Sequence, residues 1–272
     1  MTLHRTGVAP IAITCAMESE LGHLREVLPP ATDEWRCGRL FHQTVLDGCP
    51  IVLAACGVGM LSAAAVTESC ICSYSPRAVL NYGCAGSHRV DLLPGDLVIG
   101  TRVVAYDSMR TGVDNAEQVR MRYLHKGVQM RADYLPPAPE LLSAALSAAA
   151  DLQDRHEPWP ASSWPEGAPH RSPRHFVGTI ASADRWNRSR ERIEALSRAH
   201  ESLCEDMEAA AIALICASHD TPFLSIKDIS NNELLRPTDS ASFGAETLGQ
   251  LGRRAARLVL TTIRELLPRD ST

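Results

Sequence analysis

Short apolar runs alternate along this chain with longer segments in which apolar residues recur every three or four positions. The first pattern is typical of buried β-strands, and the second of helices with one core-facing side. The runs predict strands over Ile11–Ala16, Phe41–Leu46, Ile51–Cys56, Ala78–Tyr82, Asp96–Val104, Val177–Ser182 and Phe223–Ile229. The periodic segments predict helices over Glu18–Val27, Met60–Ser73, Pro139–Leu152, Ser189–Arg198, Asp206–Ser218 and Ala245–Leu267. Strands that alternate with helices indicate an α/β sandwich around a mostly parallel or mixed sheet.

One stretch, residues 151–174, interrupts this alternation. It is rich in Pro, contains Trp and has no periodicity, and a predicted strand follows it almost at once. Segments of this kind are usually surface loops. We therefore predict a surface insertion within a single domain that spans residues 1–272, a length that fits one large α/β domain.

The amino-acid composition limits the kinds of molecule that the protein is expected to bind. The chain has 45% apolar and 22% charged residues, a net charge of -5 and no basic block, so we expect a small-molecule ligand and no nucleic acid. No apolar run approaches the roughly 18 residues of a membrane helix. The apolar run Val8–Ile13 leads directly into Met17–Glu20 without a cleavage region, which favours a first strand over a signal peptide. We expect a cytoplasmic protein with no membrane partner.

The cysteines fit the same compartment. There are nine, an odd number, and most have apolar neighbours, as buried free thiols in a reducing environment do. Cys70 and Cys72 form the one close pair, and no second pair completes a zinc site. We predict no bound metal.

The most informative segment is Glu205-Asp206-Met207-Glu208-Ala-Ala-Ala. Apolar residues then recur with helical spacing at Met207, Ala210, Ala211, Leu214 and Ile215, which places Asp206 and Glu208 near the positive N-terminal end of a helix. The following predicted strand delivers Ser230-Asn231 to its C-terminal edge, where open α/β sheets hold ligands. Taken alone, the segment favours an ordinary β-α-β unit with solvated acids.

Four further segments end predicted strands in small or polar residues: Ile11–Glu20, Cys56–Met60, Leu80–Ser87 and Gly178–Asn187. Each is weak by itself because glycine-rich strand ends are common turns. Gly57-Val-Gly59 also lacks the third glycine and the downstream acid of a dinucleotide fingerprint.

Taken in chain order, these segments resemble the purine/uridine phosphorylase superfamily, most closely its nucleosidases for 5′-methylthioadenosine and S-adenosylhomocysteine. The matching segments are Ile11–Glu20, Gly57–Gly59, Asn81–Gly86, Pro94–Asp96, Arg131–Asp133, Ser182–Trp186, Glu205–Ile212 and Pro222–Asn231. The resemblance covers about Ile11 to Leu267 and weakens through 110–175. It implies a three-layer αβα sandwich around a distorted mixed sheet. It also implies a homodimer or larger assembly that acts on the N-ribosidic bond of a purine nucleoside without a cofactor.

The resemblance also implies roles at the sugar. Glu208 would hold the ribose hydroxyls and Met207 would pack on the sugar. Breaking the C1′–N9 bond develops positive charge on the ribose, and a carboxylate suits that position. Cys84, Ala85 and Gly86 would form the wall beneath base and ribose.

At the base, Trp186 would stack on the purine, although a core or surface Trp fits the sequence almost as well. Asn187 would offer backbone groups to the base edge, and Ser230 and Asn231 would face the purine.

Glu20 decides the nucleophile. The family's nucleosidases carry Met-Glu-x-Glu here, and the second Glu activates water as general base. Its phosphorylases carry phosphate-binding arginines in this loop and just before the glycine that corresponds to Gly83, where this chain has Asn81-Tyr82. Arginines from a neighbouring subunit could still reach in, and the candidates are Arg110, Arg120 and Arg122. We predict hydrolysis; without the other segments, Glu20 would be an ordinary solvated acid.

Asn231 departs from the methylthioadenosine nucleosidases, which have an Asp that protonates N7. An amide donates a hydrogen bond but no proton, and general acid catalysis contributes about 10²–10⁴-fold. Three explanations for Asn231 compete. We prefer a 6-oxopurine nucleoside as the substrate. The second explanation is that Asp228 or a water supplies the proton, and the third is that the protein binds nucleosides without reaction.

Overall fold

The computed structural model describes residues 8–153, 155–160, 164, 168–236 and 249–268. Its strands are β1 Ile11–Cys15, β2 Thr32–Arg36, β3 Arg39–Leu46, β4 Cys49–Ala55, β5 Ala78–Ser87, β6 Leu97–Ala105, β7 Met109–Thr111, β8 Glu117–Val119, β9 Met121–His125, β10 Val128–Ala132, β11 His175–Ser182, β12 Ser202–Asp206 and β13 Phe223–Asn231. Its helices are α1 Glu18–Arg25, α2 Met60–Tyr74, α3 Pro139–Asp151, α4 Arg190–His200, α5 Ala209–Ser218 and α6 Arg253–Glu265.

Nine strands form one mixed sheet in the order β12-β11-β6-β13-β5-β1-β4-β3-β2. Strands β4, β1, β5 and β13 run parallel, whereas β6 is antiparallel to β13. At the far edge β12 pairs with β11 and also returns to pair with β5, so the sheet curls upon itself. The carboxyl ends of β1, β5, β12 and β13 therefore lie close together.

Two apolar layers flank the sheet. On β1, Ile11, Ile13 and Cys15 join one cluster with apolar residues of α1, α3 and α6, while Ala12 joins the other cluster with residues of α2 and α5. This alternation is that of a strand covered on both faces. The predicted mixed αβα sandwich is thereby confirmed.

Some elements differ from the predictions. Strand β2 (Thr-Asp-Glu-Trp-Arg) is a mostly exposed edge strand, and β12 (Ser-Leu-Cys-Glu-Asp) has only two apolar residues, so neither carries the expected pattern. Because β12 continues to Asp206, the helix predicted from Asp206 begins at Ala209. Helix α5 is buried on more than one side and has no single apolar stripe, because it lies between α2 and the sheet. The last predicted helix begins at Arg253, and its residues 245–248 lie outside the described residues.

The segment 151–174 is more than a surface insertion. Trp159 is 1% exposed and Trp164 7%, and both pack with Leu93 and Leu251 in a small apolar cluster. Arg171 extends from the same segment to Asp96, which is fully buried, and two hydrogen bonds of 2.6 Å join them. Two indole rings and a buried ion pair therefore attach the described residues of this surface insertion to the domain.

Among the residues described, no helix has both the length and the apolar character required to cross a membrane.

The Arg171–Asp96 pair generates a test of stability. We expect Arg171→Ala to lower the free energy of unfolding by about 3–5 kcal/mol, because it leaves a buried carboxylate without its cation. Arg89 makes a similar two-bond contact with Asp91 on the surface. Arg89→Ala should therefore cost no more than about 1 kcal/mol. Urea denaturation of both variants makes the comparison, and equal losses would contradict the structural role of Arg171.

Candidate active site

A cavity of about 270 Å³ opens where β1, β5, β12 and β13 end. This volume suits a single small molecule. The lining residues come from the strand ends and the loops that follow them: Ala16, Met17, Glu20, Val58, Tyr82, Gly83, Cys84, Ala85, Gly86, Arg185, Trp186, Glu205, Asp206, Met207, Glu208, Ser230, Asn231 and Leu251.

Nine of the residues predicted from the sequence line this cavity: Glu20, Cys84, Ala85, Gly86, Trp186, Met207, Glu208, Ser230 and Asn231. Trp186 is 45% exposed, which places it at the rim. Asn187 is different, because it is buried behind the wall and its backbone N–H donates to Glu205. That N–H is therefore engaged within the protein, and the role predicted for the Asn187 backbone stays a prediction for its carbonyl alone.

Glu20 lies at the start of α1 with its carboxylate turned into the protein. One oxygen accepts the backbone N–H groups of Ala16 and Met17 at 3.0 and 3.1 Å, and the other accepts that of Cys84 at 2.8 Å. A Cβ on Gly83 would lie 2.9 Å from the same carboxylate, so only glycine allows this approach. Burial raises the pKa of Glu20, and the backbone donors and Lys227 oppose the rise.

Glu208 occupies the N-cap position of α5 and is 6% exposed. Its carboxylate accepts the backbone N–H of Gly59 at 2.9 Å. Burial, together with the neighbouring Asp206, raises the pKa of Glu208 to about 7, while Lys227 acts in the opposite direction. When ionised, the Glu208 carboxylate suits hydroxyl groups as ligands, because it can accept their hydrogen bonds.

Lys227 is the functional residue that the sequence analysis missed. It lies within strand β13, 1% exposed, with its ammonium 2.7 Å from the Asp206 carboxylate. Burial disfavours the charge, but Asp206 and Glu208 outweigh it and raise the pKa of Lys227. A charged residue within the apolar run Phe223–Ile229 was the available clue, since buried charges need partners.

Asn231 is fixed by two neighbours. Its side-chain oxygen accepts the Ser230 hydroxyl at 2.8 Å, and its nitrogen donates to the Glu233 carboxylate at 3.1 Å. The carboxylate can only accept, so it fixes which end of the amide is the nitrogen. One N–H of Asn231 remains for a ligand.

Asp228, suggested above as a proton source, does not line the cavity. Its side chain is completely buried and accepts the backbone N–H of Arg254 on α6. Burial raises the pKa of Asp228 to about 7, with Arg254 opposing. The direct role suggested for it was wrong, because its carboxyl group is buried against α6 and does not line the cavity.

Acidic side chains dominate the polar part of the lining. Arg185 is the one basic residue among those that line the cavity in the described part of the chain. Arg110, Arg120 and Arg122 of the same chain do not line it, and their approach from a neighbouring subunit stays a prediction. The carboxylates beside Glu20 therefore favour a neutral nucleophile over an anion.

Away from the cavity, Glu68, Cys72 and His219 form an outer group that could hold a metal ion.

Comparison with known proteins gives a consistent result. A model described as the phosphorylase superfamily matches residues 10–264. A 5′-methylthioadenosine/S-adenosylhomocysteine nucleosidase of Mycobacterium bovis is 30% identical over 258 residues, covering 92% of this chain and 95% of that protein.

Solved structures give the same picture of the fold. A nucleosidase of the same name from Neisseria meningitidis, in complex with methylthio-immucillin-A, superposes with a TM-score of 0.74 at 27% identity, covering 94% of this chain and 99% of that one. Futalosine hydrolase of Helicobacter pylori superposes with a TM-score of 0.75 and covers 95% and 98%. At 22% identity the latter shows the fold alone.

The buried ammonium generates a second test. Lys227→Met leaves Asp206 and Glu208 without their cation, so we expect the free energy of unfolding to fall by about 3–5 kcal/mol near neutral pH. The pKa of Glu208 should rise above about 7. A carboxyl group whose pKa is raised by folding makes the folded protein less stable as the pH rises from the ordinary pKa of the group through the raised pKa. The deficit relative to the parent protein should therefore be larger at pH 8 than at pH 5.

Lys126→Met is the matched control, because Lys126 pairs with Asp220 on the surface. Denaturant titrations of both variants at the two pH values provide the measurement. A Lys227→Met deficit that does not vary with pH would show that the ammonium does not set the charge of these carboxyl groups.

Proposed function

Because the chain belongs to the phosphorylase superfamily, we propose that it hydrolyses the N-ribosidic bond of a purine nucleoside. The match over 10–264 confirms the resemblance seen in the sequence. The single observation that supports hydrolysis most directly is the pair of buried carboxylates, Glu20 and Glu208, in one cavity.

Water attacks C1′ in the proposed reaction, with Glu20 as its general base. As the water oxygen bonds to C1′, its proton passes to Glu20 and the C1′–N9 electron pair departs with the purine, which then takes up a proton. Ionised Glu20 has the required lone pair, and its three backbone donors fix its position. A phosphate dianion at the same place would be repelled by both carboxylates.

Glu208 accepts hydrogen bonds from the ribose hydroxyls and stabilises the positive charge that develops on the sugar. Met207 packs on the ribose, while the Cys84–Gly86 wall lies beneath ribose and base. Burial beside Glu20 raises the pKa of the Cys84 thiol well above its ordinary value, so the wall is uncharged. Trp186, at the rim, stacks on the purine.

Asn231 donates its remaining N–H to N7 of the purine. This arrangement favours a 6-oxopurine nucleoside, since an amide stabilises negative charge on the leaving base without supplying a proton. The named relative acts on 5′-methylthioadenosine and S-adenosylhomocysteine. Nucleosides of that type are the alternative substrates for this chain.

We further propose a homodimer or larger assembly in the cytoplasm. Val58 lines the cavity and is 55% exposed, and Leu61 in the first turn of α2 is 82% exposed, so a second copy could cover an apolar rim. All nine cysteines are free thiols, as expected in a reducing compartment.

A substrate panel tests the proposed function. We expect free base and free ribose derivative from a purine nucleoside at the same rate with and without phosphate. The panel comprises inosine, futalosine, adenosine, 5′-methylthioadenosine and S-adenosylhomocysteine, with free base measured by chromatography. Formation of ribose 1-phosphate only when phosphate is added would establish a phosphorylase instead. Saturable binding without base release would establish a binding protein.

Glu20 has a natural control two residues away. Glu20→Gln should lower turnover by at least about 10²-fold while leaving nucleoside binding largely intact, because the amide cannot accept the proton of water. Glu18 is exposed and does not line the cavity, so Glu18→Gln should retain parental turnover. Single-turnover kinetics, together with ligand titration, separate the two effects. Unchanged turnover in Glu20→Gln would remove this residue from the mechanism.

A further inference from the structure

Three neighbouring strands place Glu205, Gly86 and Asn231 in one row. Glu205 on β12 pairs with Gly86 on β5, and Gly86 pairs with Asn231 on β13. A Cβ on Gly86 would lie 3.6 Å from the Asn231 amide and 3.8 Å from Cγ of Glu205. Both side chains therefore flank the space that a side chain at Gly86 would occupy. All three residues line the cavity.

The row forms a slot with a different polar group at each end. Its floor is the glycine backbone, so a flat ring can lie over Gly86 with one edge toward Asn231 and another toward Glu205. Asn231 presents its remaining N–H, since Ser230 and Glu233 occupy the rest of the amide. Glu205 presents a carboxylate, which when ionised can only accept hydrogen bonds.

Protein donors fix the Glu205 carboxylate but do not fill it. Its Oε2 accepts the Asn187 side-chain nitrogen at 2.6 Å and the Tyr106 hydroxyl at 3.3 Å, and His88 Nε2 lies 3.4 Å away. Its Oε1 accepts one bond, from the Asn187 backbone N–H at 3.1 Å. A carboxylate oxygen can accept about two hydrogen bonds, so Oε1 retains capacity for a ligand.

Purines differ at the edge that would face this acceptor. A 6-oxopurine carries N1–H, a donor, beside the acceptor O6, whereas adenine carries an acceptor at N1 beside its amino group. We infer that Glu205 selects a 6-oxopurine by accepting its N1–H, while Asn231 donates to N7 at the other end of the slot. This inference rests on the proposed function and names the base that the cavity takes. Adenine would place the lone pair of N1 against a carboxylate.

Glu205→Gln tests the inference, because its amide can donate to N1 of adenine as well as accept. Inosine and adenosine share the same ribose, so the ratio of their kcat/KM values reports on the base edge alone. Hydrogen bonds to a charged group contribute about 1.5–3 kcal/mol, so the parental preference for inosine should fall by about 10- to 100-fold in the variant. Glu201→Gln is the control, because Glu201 is exposed and pairs with Arg102 on the surface. Its ratio should equal the parental ratio.

A purely structural role for Glu205 would give a different result for the ratio of the two activities. If the carboxylate served only to fix Asn187 and Tyr106, Glu205→Gln would lower both activities together and leave the ratio unchanged, which would overturn the inference. A parental enzyme that prefers adenosine would overturn it as well.

A competition experiment between free hypoxanthine and free adenine measures base selection by the cavity without requiring catalysis. Tighter hypoxanthine binding to the parental protein, with the preference lost in Glu205→Gln, would support base selection even if no nucleoside were hydrolysed. In that case only the proposed hydrolysis would fail. Equal binding of the two bases by the parental protein would refute the role of Glu205. Thermal unfolding shows whether the variant is folded.

Discussion

The positive charge of Lys227 opposes the protonation of the two buried carboxyl groups in the cavity, Glu20 and Glu208. Its ammonium contacts Asp206 at 2.7 Å, and its field lowers the pKa values of Glu20 and Glu208 against the effect of burial. Without that field, burial would raise both pKa values further. In the proposed mechanism, a protonated Glu20 could not accept a proton from water. The proposed general base therefore depends on a residue that does not line the cavity.

The return of β12 to β5 separates two functions within one small cavity. Beyond Asp206, the chain places Met207 and Glu208 at the proposed ribose position, whereas Glu205, the residue before Asp206, pairs with Gly86 at the proposed base position. Consecutive strand residues point to opposite sides, which is how one short segment serves both ends. The proposed catalysis and base selection thus use different carboxylates, and Gly83 and Gly86 leave the room that both require.

The sequence predicted the fold well where apolar patterns were strong, as in β1, β13 and α2. It failed for β12, because pairing with two neighbours rather than apolar content makes Ser202–Asp206 a strand. The cavity residues were predicted from the family resemblance that several strand-end segments carry together. Lys227 and Glu205 were missed because their roles depend on strands that are distant in sequence. No local pattern shows that Lys227 faces Asp206, or that Glu205 lies in a row with Asn231.

Asn231 and Glu233 together explain why an amide replaces a carboxylic acid beside the base. An aspartate at position 231 would place its carboxylate where the amide nitrogen now lies 3.1 Å from Glu233, and two buried carboxylates so close repel each other. The amide removes this repulsion and becomes a fixed donor. It supplies no proton, so in the proposed reaction the departing base must carry negative charge for longer. Glu205 would oppose that charge if it were bare, but donors from Asn187 and Tyr106 contact its carboxylate and spread its charge. The remaining acceptor capacity of Glu205 can then take the proposed bond from N1–H at a reduced electrostatic cost to the leaving group, which is why those donors belong to the proposed chemistry as much as Glu205 itself.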